Sequence, residues 1–176
     1  MKKIFLTLLV ASAMLVACGP NREELVNQIQ DFEDSVFESA IGADPEVADQ
    51  LTKMYVDFAD KYSNDTLAPE YLMKAGEVQS NVLHTQQAIE LFDRVINNYP
   101  QFEDVPMCYF LKGNAYDLNC MYEQAKEAYQ EYLNKYPTHF MAEQTRLMLP
   151  HVGQTPEEMF AEIIANANDS IIATNK

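Results

Sequence analysis

Apolar residues recur at intervals of three and four along most of this chain. Leu25, Ile29, Phe32, Val36 and Phe37 make one such stripe, and Leu51, Tyr55 and Phe58 make another. This spacing places the side chains on one side of an α-helix. Start signals frame the stripes. Asn21 with Glu24 three residues on forms a reciprocal cap. Asp44-Pro45-Glu46 combines a capping acid, a proline suited to the first turn and an acid near the positive helix end. The pattern predicts further helices from about Pro69 to Val82, Thr85 to Asn98, Pro106 to Asn119, Tyr122 to Lys135 and His139 to Leu149, where Pro150 should stop the last of these. Thr155 and Glu158 cap a final helix that carries Met159, Phe160, Ile163 and Ile164. Residues 166–176 form a polar tail expected to fray. No strand alternation or Asn-Gly hairpin is present, so the prediction is all-α.

The helices are not independent. Tyr62, Tyr99 and Tyr136 stand 37 residues apart. At the same offset Pro69 matches Pro106, Gly76 matches Gly113, Ala88 matches Ala125, Phe92 matches Tyr129, and Pro100 matches Pro137. A fixed period of this size signals stacked supersecondary units that present a surface rather than enclose a reactive centre. Within each copy, small residues on the two helices (Gly76 and Ala88, Gly113 and Ala125) are expected to meet. An aromatic (Phe92, Tyr129) is expected to fill the space against the neighbouring hairpin.

These spacings resemble the tetratricopeptide repeat, with Leu72, Gly76, Ala88, Phe92 and Pro100 in the first copy and Tyr109, Gly113, Tyr116, Ala125, Tyr129 and Pro137 in the second. The best repeats are 69–100 and 106–137. The resemblance implies antiparallel helical hairpins stacked in a short right-handed solenoid with a C-terminal capping helix. The departures are specific. The three residues beyond the usual period fall between Pro100 and Gly113, and Gln79 stands where the second copy has the aromatic Tyr116. The units before Pro69 and after Pro137 are degenerate, as the ends of an array should be.

The start of the chain carries a different message. Lys2 and Lys3 precede an apolar run, Ile4 to Met14, and then Leu15-Val16-Ala17-Cys18. A charged start, a short apolar stretch and small residues read as a secretory signal. Leu-Val-Ala-Cys resembles the bacterial lipobox. The resemblance implies removal of residues 1–17, lipidation of Cys18, a short tether over 18–21 and a helical domain over 22–165. Gly19 after the cysteine favours the outer membrane by the enterobacterial sorting pattern. A lipobox ahead of such repeats is similar to the helical lipoproteins of the Gram-negative envelope. That group includes the helical lipoprotein of the outer-membrane barrel-assembly machinery, and the Tol-Pal-associated coordinator shares the repeat domain.

Composition narrows the choice of partner. The formal charge is −15, and losing Lys2 and Lys3 with the signal makes it −17. Such a surface repels nucleic acid, and it leaves membrane attachment to acyl chains. If Cys108 and Cys120, twelve residues apart, lie along one helix, they stand ~18 Å apart and should not pair; Cys120, near a predicted turn, is expected to be the exposed one. His84, His139 and His151 lack metal-ligand spacing, and no phosphate loop or nucleophile elbow is present. The sequence therefore predicts no catalysis, no metal and no cofactor.

By resemblance, the inner face of each hairpin's first helix lines a groove. Glu70, Met73, Glu77 and Ser80 occupy it in the first copy, and Met107, Phe110, Asn114 and Asp117 in the second. Apolar centres with acidic flanks suit an extended or helical peptide with some positive charge. The competing expectation is that Met73, Met107 and Phe110 pack against adjacent helices. The functional expectation is a lipid-anchored scaffold that binds one or more envelope proteins or a peptide segment. The alternative is a small-molecule or glycan-binding accessory lipoprotein.

Overall fold

A computed structural model describes residues 20–39, 44–162 and 164, and the side chains of these except 37–39. The expected signal 1–17, Cys18 and the tail 166–176 lie outside the described residues, as do Ile163 and the side chain of Phe37.

The described chain is helical throughout, with no strand. The helices are α1 (Arg22–Ser39), α2 (Pro45–Lys61), α3 (Leu67–Asn81), α4 (Thr85–Asn98), α5 (Val105–Leu118), α6 (Tyr122–Lys135) and α7 (Ala142–Met148). A 3-10 turn, Leu149–His151, follows α7, and helical backbone returns over 156–162. The expected caps form. Glu24 N–H donates to Asn21 Oδ1 at 3.0 Å, and Asn21 N–H donates to Glu24 Oε2 at 2.9 Å. Thr155 and Glu158 repeat this exchange at 3.2 and 2.8 Å. Asp44 Oδ1 accepts from Glu46 N–H at 2.9 Å.

Three boundaries differ from the sequence expectation. Helix α3 starts at Leu67, whose N–H donates to Asp65 Oδ1 at 3.0 Å. Pro69 then falls inside the first turn, where its missing N–H costs nothing. Pro106 stands likewise just inside α5. Helix α7 begins at Ala142 rather than near His139, because 137–141 form turns closed by Ala142 N–H donating to His139 O at 2.8 Å. Helix α7 ends at Met148, just ahead of Pro150 as expected. The proline itself is carried by the 3-10 turn, which needs no N–H from it.

The helices stack as hairpins. Helices α3 and α4 form one, α5 and α6 the next; α2 packs on α3, α4 on α5, and α3 touches α5 directly. Helix α1 pairs with α2, and α7 with its 3-10 turn packs on α6. A continuous core runs from Ile29 through Phe58, Leu72, Phe92 and Val95 to Cys108. Smaller clusters around Tyr129 and Tyr132 extend it towards the C-terminal side.

The close approach inside each hairpin differs from expectation. Ala88 and Ala125 are fully buried, but what faces each glycine is the aromatic ring of its own hairpin. A Cβ on Gly76 would lie 2.5 Å from Phe92 Cε1, and one on Gly113 would overlap the Tyr129 ring. The glycine makes the seat for the ring, so the aromatic closes its own hairpin.

Both hairpin turns end their first helix in the same strained way. Leu83 and Cys120, 37 residues apart, have φ of 63° and 56°. His84 N–H donates to Gln79 O and Leu83 N–H to Ser80 O; Met121 to Tyr116 and Cys120 to Asp117 repeat the pattern. This paired closure places a left-handed residue after the cap, where glycine is usual.

Gln79 is fully buried yet satisfied. Its Nε2 donates to Asp49 Oδ1 at 3.0 Å and Thr52 Oγ1 at 2.8 Å, and its Oε1 meets His84 Nδ1 at 2.7 Å. A polar network from α2 thus occupies the place that an aromatic takes in the second copy.

Candidate functional site

The eight residues expected to line the groove divide into two groups. Glu70, Met73, Glu77 and Ser80 lie on α3, with Glu77 near Asp104 and Cys108 at the start of α5. Glu70 is half-exposed and stands 3.5 Å from Lys74 Nζ. Met73 is half-buried against the main core. Glu77 is half-buried; burial raises its pKa, Lys74 opposes the rise, and the Asp104 carboxylate adds to it. Ser80 is buried, and its Oγ has no hydrogen-bond partner among the described residues.

The α5 group meets the end of the array. The Phe110 ring lies 5.6 Å from that of Tyr129 and 5.8 Å from that of Tyr132, and it shares a cluster with Leu149 of the 3-10 turn. Asn114 interacts with the Tyr129 hydroxyl. Asp117, its pKa raised by burial, lines a 350 Å³ cleft with Tyr122, Met148 and His151. Met107, near the start of α5, stays half-exposed. Phe110, Asn114 and Asp117 therefore sit against α6 and the α7 region, while Glu77 of the α3 set sits near the start of α5. Of the eight only Ser80 is buried; the other seven, Phe110, Asn114 and Asp117 among them, keep accessible surface. The packing residues Gly76, Ala88, Phe92, Gly113, Ala125 and Tyr129 are all buried.

A larger cleft, 700 Å³, lies elsewhere and was not foreseen from sequence. The α2–α3 turn contributes Asn64 and Asp65, and the α4–α5 turn contributes Tyr99, Gln101 and Phe102. The only sequence signal for it was the added length between Pro100 and Gly113. That length gives a six-residue connection, Tyr99–Asp104, folded by Phe102 N–H donating to Tyr99 O at 2.9 Å.

Electrostatics fix α1 to this end of the array. Arg22 Nη2 donates to Asp65 Oδ1 at 3.0 Å, and Lys61 Nζ donates to the Pro20 carbonyl at 2.6 Å. The guanidinium and the Leu67 N–H hold the Asp65 carboxyl down at about 2. Farther along, Glu33 of α1 accepts from the Tyr55 hydroxyl and from Lys74 Nζ at 3.2 Å.

Cys108 and Cys120 are both free, the first buried and the second exposed. Burial, with Asp104 and Glu77 nearby, pushes the Cys108 thiol up to about 12, which suppresses the thiolate a nucleophile requires. Among the described residues no His, Cys, Asp or Glu cluster has metal-binding geometry, and no helix is long and apolar enough to cross a membrane.

Residues 70–101 and 107–139 each match the family model of the tetratricopeptide repeat. No curated protein and no solved structure matches the chain significantly. The two matched segments coincide with the α3–α4 and α5–α6 hairpins. The fold is an all-α array of tetratricopeptide-like hairpins, and repeats of this kind point to protein–protein interaction.

Proposed function

We propose that this chain, built around two tetratricopeptide-like hairpins, is a lipid-anchored scaffold of the bacterial cell envelope that binds a protein or peptide and performs no catalysis. The observation that carries the reading is the pair of in-register hairpins with their glycine–aromatic seats, which present a stacked surface. The anchor is Cys18 in Leu15-Val16-Ala17-Cys18, and Gly19 favours the outer membrane as its address.

The binding face is the part of the predicted groove away from the α7 region: Glu70 and Glu77 as acidic flanks, Met73 and Met107 as apolar contacts. A partner segment with basic and apolar side chains fits it. Glu70→Lys with Met107→Ala is the informative variant, because both residues are half-exposed. Cross-linking in detergent-solubilised envelopes should recover a partner with the parent chain and lose it with the variant. Equal recovery from both would refute the face. Palmitate labelling that disappears in Cys18→Ala tests the anchor.

One observation favours a second reading. The 700 Å³ cleft combines the Tyr99 and Phe102 rings with the amides of Asn64, Asn98 and Gln101, a lining suited to stacking and hydrogen bonding of a glycan or small polar ligand. Thermal stabilisation by an oligosaccharide, lost in Tyr99→Ala, would move the assignment there.

A further inference from the structure

We propose that the end of the array bearing the inter-hairpin turns rests on the membrane surface, with the Phe140 ring at the lipid interface. The proposal rests on attachment at Cys18.

The first observation is where the chain leaves the fold. The Pro20 carbonyl is held by Lys61, the last residue of α2, and Arg22 is held by Asp65 in the α2–α3 turn. The start of α1 is thereby fixed to this end. Gly19 alone separates Cys18 from Pro20, so Cys18 reaches at most ~7 Å from that point.

The second observation is what else stands at this end. The α2–α3 and α4–α5 turns are neighbours, since together they line the 700 Å³ cleft. The Tyr136 ring, at the end of α6, lies 5.4 Å from that of Tyr109 near the start of α5. The α6–α7 turn therefore shares the same end, and it carries Phe140. That ring is 73% exposed, the highest value among the exposed large apolar residues of the described chain.

A short tether and an exposed aromatic at one end suit a lipid interface. An aromatic ring gains by leaving water there without entering the hydrocarbon. Glu70, Glu103 and Asp104 stand at this same end. Arg22, Lys61 and Lys135 stand there as well, so the charge is mixed and a zwitterionic surface fits it. The opposite end, with the α3–α4 and α5–α6 turns, exposes Leu83, Leu118, Met121 and Tyr122, but the short tether keeps it a helix length, about 20 Å, from the membrane.

The chain contains no Trp, so a single introduced Trp reports alone. The chain from Cys18 onward, carrying Cys120→Ser, is coupled through Cys18 to a maleimide lipid in phosphatidylcholine vesicles with brominated acyl chains. Cys108 is buried and does not compete. Emission from Phe140→Trp should be largely lost, while that from Leu118→Trp is retained. Equal emission from the two, or loss from Leu118→Trp, overturns the proposal. A blue shift of Phe140→Trp that grows with protein density and ignores bromine assigns the ring to a second copy and also overturns it. Chemical coupling supplies the anchor, so these results stand apart from palmitate labelling, which tests native attachment alone.

Discussion

At the scale of single residues, the repeat places strain and relief in register. Leu83 and Cys120 adopt a left-handed backbone that costs an L-residue roughly 1–2 kcal/mol. Leu83 is more than half exposed, so its side chain returns little packing for that strain. Leu83→Gly should raise stability by about 1 kcal/mol in urea unfolding, less the greater freedom glycine gives the unfolded chain. The seats act in the opposite sense. Gly76→Ala pushes a methyl into the Phe92 ring and should cost about 1–3 kcal/mol. Adding Phe92→Leu should restore part of the loss, and a double-mutant cycle measures that coupling.

At the scale of elements, α1 is the piece most dependent on charge. The Arg22 guanidinium holds the folded Asp65 carboxyl near 2, below its usual 3.8. A lowered pKa means the carboxylate stabilises the folded state above the unfolded range, and that contribution vanishes as pH falls from about 4 towards 2. Hydrogen exchange should show α1 amides losing protection across that window before α3 or α4, and Asp65→Asn should abolish the pH step. The sequence made the hairpin elements legible because glycine, alanine and aromatic spacing follows directly from helix packing. It did not reveal the start of α3 at Leu67, because the Leu67 N–H is taken by Asp65 from two residues upstream, while the pattern marks only the proline. It also did not show Pro150 within a 3-10 turn, since a proline by itself does not say whether the backbone stops or tightens.

At the scale of the whole molecule, the array must close its last hairpin. Phe110, Tyr129 and Tyr132 are covered by α7 and the 3-10 turn through Leu149 and Ala142. A chain ending at Pro137 should uncover these rings and self-associate, seen as a rising apparent mass in light scattering while the chain ending at Ile164 stays dispersed. The candidate groove was legible only as a set of positions. The spacing put eight residues on one side of two helices, but it carried no information about what the next helix covers. Phe110 is half-buried because α6 and the 3-10 turn after α7 arrive against it. The turn cleft escaped notice because it joins two segments far apart in sequence.

The buried amide of Gln79 gives the array an order of assembly. A shift of 37 residues turns Gln79 into Tyr116 and its partner Thr52 into Ile89, so the two successive junctions speak different chemical languages. Hairpin α3–α4 is satisfied only behind α2, which brings Asp49 and Thr52. Placed behind another α4, the amide would meet Gln86 and Ile89 in place of Asp49 and Thr52, losing the hydroxyl acceptor at a cost of about 1–3 kcal/mol. Hairpins of the same geometry invite mispairing between neighbouring chains, and this mismatch works as a key that favours one sequence of stacking.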